Sequence, residues 1–405
     1  MQFEFIHGGV TSVPGFTASG VHCGIRKNKT KRDLALIMAD RSCTAAAVYT
    51  TNKVKAAPIH LTMENLKNNC AWGIIANSGN ANACAPGGME AAKKMLEAVA
   101  AETGLAPEDF VVNSTGVIGV PLPVDVIVDA VPKLVSSLTT DGEPVAEAIM
   151  TTDTFPKSAA LKVDIGGKTV TIGGIAKGSG MIHPNMATMF AFLTTDCDIA
   201  PELLQAALNE SVDRTYNRIS VDGDTSTNDM TAVLASGTAG NAKINDRNTD
   251  FDIFAGALDA INLKLAKAIA RDGEGATKLI ICEVAGAYSL ENAVCMAKSV
   301  ISSSLVKAAM FGSDANWGRV LCAMGYSGAD FNPDKIDVAF SSKAGCVSVC
   351  EGSKGLPFDE NIVKKILSEE EVTIEITLYD GSGQANAYGC DLTYDYVKIN
   401  GDYRT

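Results

Sequence analysis

At 405 residues and 42.2 kDa the chain is long enough for more than one core, and its 34 basic against 47 acidic side chains, a net charge of −13, exclude a nucleic-acid groove or an anionic membrane surface as the main partner. Hydrophobic residues at 46%, aromatics at 6% and 37 glycines fit a closely packed α/β or α+β enzyme with many turns. The N-terminus carries no basic segment followed by an apolar core, and no run of about 18 apolar residues occurs, so the expectation is a cytoplasmic protein whose scattered cysteines stay reduced.

In chain order, DLALIMA and WGIIAN predict strands separated by glycine-rich turns. Residues 88–102 predict a helix, with Met89, Ala92, Met95, Leu96 and Val99 on one apolar face. LKVDI and KTVTIGGI predict a hairpin around Gly166-Gly167. The GGKT within it is not a phosphate loop, because the required earlier glycine would fall on Lys162. A helix is expected at 201–216 with Pro201 in its first turn. Another is expected at 250–270, where Phe251, Phe254, Leu258, Ile261, Leu265 and Ile269 recur at three and four before the stop Arg271-Asp272-Gly273. Strands at ATKLIICEVAGA, DKIDVAFSS and EVTIEITLYDG alternate with helices near 290–305, 314–324 and 359–368, with DANWGR capping the second and Trp317 packed inside.

Several conspicuous residues are read as structural. Cys346 and Cys350 have no second pair or nearby histidine, so no metal site is expected. Asp222-Gly223-Asp224 lacks EF-hand spacing, and His183 is read as a structural histidine of HPN.

The segment KGSGMIHPNMATMFAFLTTD, residues 177–196, carries the chemistry. An internal threonine hydroxyl has no base of its own, but a threonine at a chain N-terminus has its free α-amine, with a reference pKa of about 7.7–8.0. Use of Thr188 in that way requires a cut after Ala187, a residue with little steric cover over its carbonyl.

This segment resembles the self-cleaving centre of the ornithine acetyltransferase, or bifunctional glutamate N-acetyltransferase, family of arginine biosynthesis. GFTASGVHCGI, TTNKVKAAP, ANSGNANAC, NSTGVIGVPLP, TTDTFPK, RISVDGDTSTND, ARDGEGATKL, FGSDANWGRV and YGCDLTYDYVKIN are similar to the family's blocks, in its order, from about residue 8 to the C-terminus. The resemblance implies cleavage between Ala187 and Thr188 into an α chain (1–187) and a β chain (188–405), assembled as two α and two β. It implies acetyl transfer from N-acetyl-L-ornithine to L-glutamate through acetyl-Thr188, with Thr115 and Gly116 stabilising the oxyanion. Thr154, Lys177, Glu274, Asn400 and Thr405 match substrate-binding positions, Lys177 facing a carboxylate and Glu274 an ammonium. No cofactor or metal is implied, and acetyl-CoA stays open as a second donor. The implied fold is mixed α/β, stacked sheets flanked by helices, resembling N-terminal-nucleophile hydrolases with different connectivity. An N-terminal-nucleophile aminopeptidase or amidase is the alternative activity, since water admitted to the acyl-enzyme gives hydrolysis; a non-enzymatic scaffold would leave the chain intact.

Overall fold

The computed structural model describes residues 3–183 and 189–402. They form two compact units, one made of Met1–Gly178, Pro184–Asn217 and Thr225–Leu265, the other of Ser179–His183, Arg218–Asp224 and Ala266–Thr405. Each is a mixed sheet with helices, the α/β class expected from the sequence.

In the first unit the strands run in the order Glu4–Ile6, Lys157–Ile165, Lys168–Lys177, Phe190–Thr195, Met230–Ala235, Leu34–Tyr49, Cys70–Asn80 and Phe110–Val117, with Phe16–Val21 also paired to Leu34–Tyr49. The run GIIAN is buried on both faces because successive residues feed different cores. Ile74 and Val111 join one cluster, and Ile75 and Val112 join the other, under Met95, Val99 and Ile127. The predicted hairpin is present: Ile165 pairs with Lys168, and Gly166 and Gly167 take φ of +60° and +77°, as a two-residue turn matched to strand twist requires.

Phe190–Thr195 and Met230–Ala235 both follow Thr188 in the chain yet lie inside this sheet, between Lys168–Lys177 and Leu34–Tyr49. The compact units therefore do not coincide with a division at 187/188. A cut there would leave its two pieces joined by main-chain ladders on both sides of the inserted strands.

The second unit orders its strands Lys354–Gly355, Gly345–Glu351, Ile336–Ser342, Glu371–Leu378, Leu279–Ala287, Gly383–Cys390 and Ile219–Ser220. Its core packs Ile280, Val338, Phe340 and Ile374 of the sheet with Met296, Val300, Val306 and Val363 of the helices.

The helix Gly88–Thr103 and the long helix Thr249–Arg271 follow the predicted spans, and Phe251, Phe254, Leu258, Ile261, Leu265 and Ile269 are all buried. Four details differ. The helix from Pro201 ends at Arg214, before a short 3-10 turn at Tyr216–Arg218. The helix expected over 290–305 breaks at Ser303 into Leu290–Ser302 and Ser304–Phe311, bent by 58°. Serine competes with helix continuation by capping, and the Ser303 hydroxyl accepts from Val306 N at 3.4 Å. The helix expected at 314–324 starts at Trp317, capped by Asn316, whose Oδ1 accepts from Arg319 N at 3.2 Å. Trp317 is half-buried against Gly355, on the margin of the core. Among the described residues no single helix is long and apolar enough to cross a membrane.

Candidate active site

Thr115 and Gly116 lie near the end of the strand Phe110–Val117, paired in parallel with Ser78 and Gly79 where a bulge interrupts the ladder at Asn80. Gly116 takes φ +133°, and a Cβ there would sit 2.4 Å from Gly79 C and 2.5 Å from Asn80 N. Only glycine allows these two backbones to approach so closely.

The asparagines of ANSGNANAC, NSTGVIG and STND fasten this turn. Asn228 Nδ2 donates to Ala81 O at 2.5 Å and Ser114 O at 2.7 Å, while Asn113 Nδ2 donates to Asn228 O at 3.0 Å. Ser114 Oγ donates to Asn77 Oδ1 at 2.6 Å, and Asn77 Nδ2 to Asn80 O at 2.9 Å. A buried network so bonded fixes the turn before any ligand arrives, which is the preorganisation an oxyanion site needs.

Lys177, at the end of the strand Lys168–Lys177, is buried, in contrast to the solvated lysine that a loop position would give. Burial lowers its pKa; the Asp153 and Asp229 carboxyls oppose that shift, and Lys157 and Arg26 add to it. Asp153 turns the other way: burial would raise its pKa, but the Lys177 and Lys157 ammoniums and the Gly178 N–H hold it below the carboxylate range. For Asp229 burial wins over Ser226 and Lys177, and its pKa lies well above that range. Asp229 precedes the strand Met230–Ala235, whose first N–H donates at 3.0 Å to the O of Met189, the residue that follows Thr188 in the chain. Arg26 reaches the same cluster from the loop Cys23–Arg26, whose Cys23 N and Arg26 N donate to buried Asp33 at 2.6 and 2.9 Å.

Thr154 is exposed on the turn whose shape Asp153 sets by accepting from Thr151 N at 3.0 Å. Asp153 also forms an ion pair of 2.7 Å with Lys157, both side chains at 0% exposure. Asp153→Asn removes the carboxylate from a buried ammonium and should cost about 3–5 kcal/mol, read as a lowered midpoint in urea unfolding. The folded pKa of Asp153 lies below the unfolded reference of about 3.9. Its stabilisation is therefore complete above that reference and is lost as pH falls through the folded value, a loss the variant should no longer show.

In the second unit Glu274 is buried, where an unaided reading of RDGEGATK expects an exposed loop acid. Asn400 Nδ2, from the helix Tyr394–Asp402, donates to Glu274 Oε2 at 2.7 Å, and Glu274 N donates to Ser179 O at 3.1 Å. Gly180 leaves room for the carboxylate: a Cβ there would lie 2.5 Å from Glu274 Oε2. Gly275, φ +69°, is required because a Cβ would meet Tyr396 N at 2.6 Å. His183 Nδ1 lies 3.0 Å from Ser220 Oγ, and burial and then Lys298 lower its pKa to about 4, which keeps the ring neutral near pH 7. Ala187, Thr188 and Thr405 lie outside the described residues.

The ArgJ family model matches residues 17–405. The chain belongs to the ArgJ family. It is 52% identical over 398 residues to arginine biosynthesis bifunctional protein ArgJ 1 of Clostridium acetobutylicum, covering 98% of this chain and 97% of that one. It is 51% identical over 405 residues to the ArgJ protein of Symbiobacterium thermophilum, covering 99% and 100%. Among solved structures, the Bacillus halodurans ArgJ protein superposes with a TM-score of 0.50 at 46% identity, over 52% of this chain and 98% of that chain. The Mycobacterium tuberculosis ornithine acetyltransferase complexed with ornithine gives 0.43 at 37% identity, over 46% and 100%.

As an ArgJ-family protein the chain is an arginine-biosynthesis enzyme. Sequence reasoning singled out Thr115, Gly116 and Lys177 but missed Arg26, Asp153 and Asp229, whose charges act on Lys177, and Asn228, which fastens the turn at Ser114 O. The available signal was the density of Asn and Asp in ANSGNANAC and STND beside apolar strands, where a buried amide or carboxyl has to be bonded to something.

Proposed function

We propose that the chain moves acetyl from N-acetyl-L-ornithine to L-glutamate, giving L-ornithine and N-acetyl-L-glutamate, after cutting itself between Ala187 and Thr188. The observation that carries this reading is identity of about half the residues across the whole length to bifunctional ArgJ proteins. The ornithine bound to the Mycobacterium tuberculosis acetyltransferase supports the substrate class.

In maturation the Thr188 hydroxyl adds to the Ala187 carbonyl, the C–N bond breaks, and an ester with a free Thr188 α-amine forms. Water then releases the Ala187 carboxylate and restores the hydroxyl. In turnover the α-amine takes the hydroxyl proton as Oγ attacks the acetyl carbonyl, and gives it to the departing ornithine amine. Glutamate's amine attacks the acetyl-Thr188 ester next, a ping-pong sequence without a cofactor. Thr115 and Gly116 face the oxyanion. Lys177 takes a substrate carboxylate and Glu274, oriented by Asn400, an ammonium; Thr154 and Thr405 complete the binding set. The two chains stay together through the sheet they share, and two cleaved precursors form the heterotetramer.

Mass spectrometry after incubation with N-acetylornithine alone should show one acetyl group on the chain beginning at Thr188, discharged by glutamate. Release of acetate without glutamate would instead indicate the aminopeptidase-like or amidase alternative. Acetyl-CoA with glutamate and no acetylornithine tests whether acetyl-CoA is also a donor.

A further inference from the structure

Within the second unit, the helix Tyr394–Asp402 carries Asn400 to Glu274, yet none of its nine residues is buried. A helix this short and this exposed gains little from covering an apolar face, so a small number of ties set where it lies. Some act at its start. Thr393 Oγ1 donates to Gly275 O at 2.7 Å and accepts from Tyr396 N at 3.3 Å, and the Tyr394 ring meets Phe311 edge-on with centroids 5.6 Å apart. The next is the Tyr396 phenol, which donates to the Asp222 carboxylate. Burial and then the Asp222, Glu274 and Asp224 charges push the pKa of the phenol up, so it keeps the proton it donates.

Asp222 is a fixed anchor for that phenol. Its Oδ2 accepts from Met181 N at 2.6 Å, and its Oδ1 from Ile182 N at 2.9 Å and Asp224 N at 3.2 Å. Tyr396 and Asn400 stand four residues apart, one turn along the same face of the helix. The Asn400 amide spans that turn: Nδ2 donates to Tyr396 O at 3.0 Å and to Glu274 Oε2 at 2.7 Å. Glu274 is tied at its own backbone, its N–H donating to Ser179 O at 3.1 Å. Contacts therefore run without a gap from Asp222 through Tyr396 and Asn400 to the Glu274 carboxylate, and the acetyl transfer itself requires no group of Tyr396.

We infer that Tyr396 is a positioning residue for Glu274: its phenol, held by Asp222, fixes the helix turn from which Asn400 orients the Glu274 carboxylate for a substrate ammonium. This rests on the reading of Glu274 as the ammonium-binding residue. A hydrogen bond to an ammonium weakens steeply as the acceptor turns out of line, so a carboxylate whose orienting amide can drift holds its ligand less well. The contact is made in the bound substrate and in the transition state alike. Its loss therefore shows in binding and KM, with little change in kcat. Tyr396→Phe keeps the ring and removes only the hydroxyl that reaches Asp222.

The test is calorimetric titration with L-ornithine of wild type, Tyr396→Phe, Glu274→Gln and the double variant, with thermal midpoints and the kcat and KM for N-acetyl-L-ornithine measured on the same samples. Tyr396→Phe should weaken ornithine about fivefold, the worth of one intramolecular hydrogen bond, and raise KM while kcat and the thermal midpoint hold. In the Glu274→Gln background the same substitution should have no further effect, because the carboxylate it positions is gone. Unchanged affinity in Tyr396→Phe, or an equal loss in both backgrounds, would overturn the inference and leave the role of Glu274 standing. So would affinity, kcat and thermal midpoint falling together, the pattern of a general structural role. Glu274→Gln that binds ornithine as tightly as wild type would overturn the ammonium-binding reading itself, and the inference with it.

Discussion

Thr188→Ala is expected to leave a single 42.2 kDa chain and to abolish acetyl transfer. The substitution removes only a hydroxyl and a methyl group, yet both proposed reactions pass through that oxygen. Without it no ester forms at Ala187, no α-amine is released, and no acetyl-enzyme can follow. Intact mass under denaturing conditions reads the first effect, and formation of N-acetylglutamate from acetylornithine reads the second. Two chains in wild type, one beginning at Thr188, and one chain in the variant would meet the expectation. A variant that is still cut at the same bond would remove Thr188 from maturation, and one that is uncut but still active would remove the need for the α-amine.

Gly116→Ala should lower kcat by about 10²–10³-fold with a much smaller change in KM. The argument is steric before it is electrostatic. The added Cβ would stand 2.4 Å from Gly79 C, a main-chain atom that no side-chain rotation can move away. Either the Gly79–Asn80 bulge or the Thr115–Gly116 peptide has to shift, and the bulge is pinned through Asn77 and Asn228. Donors displaced by even a fraction of an ångström lose the most where charge develops, so the transition state suffers more than the bound substrate. Gly119→Ala is the control: Gly119 also has positive φ, +83°, but a Cβ there meets nothing within 4 Å. Equal kcat losses in the two variants would mean that general stiffness of NSTGVIG, and not the Gly79 contact, limits the chemistry.

Local patterns were readable where the physics is local. The three-and-four spacing of Phe251 to Ile269 and the Gly166-Gly167 turn each dictate a shape from a few neighbouring residues, and both elements are present. Where side-chain capping competes with propagation the pattern misled, as at Ser303, because periodicity does not register one hydroxyl that ends a helix and starts another. Motif order along the chain was sufficient to place it in the ArgJ family.

The state of the candidate residues was another matter. Nothing in KGSGMIHP distinguishes a solvated Lys177 from one buried near Asp153 and Asp229, and nothing in RDGEG announces that Glu274 is buried and bonded to Asn400. Those facts depend on groups far apart in the chain, whose meeting is decided by which strands pair and which faces pack. The sequence by itself determined the periodic elements, the turn chemistry and the family. Only the tertiary structure decided which charges are desolvated, which asparagines fasten the Thr115–Gly116 turn, and which amide orients Glu274. Desolvation and hydrogen-bond partnership are properties of a packed neighbourhood, and a residue's place in the chain does not specify them.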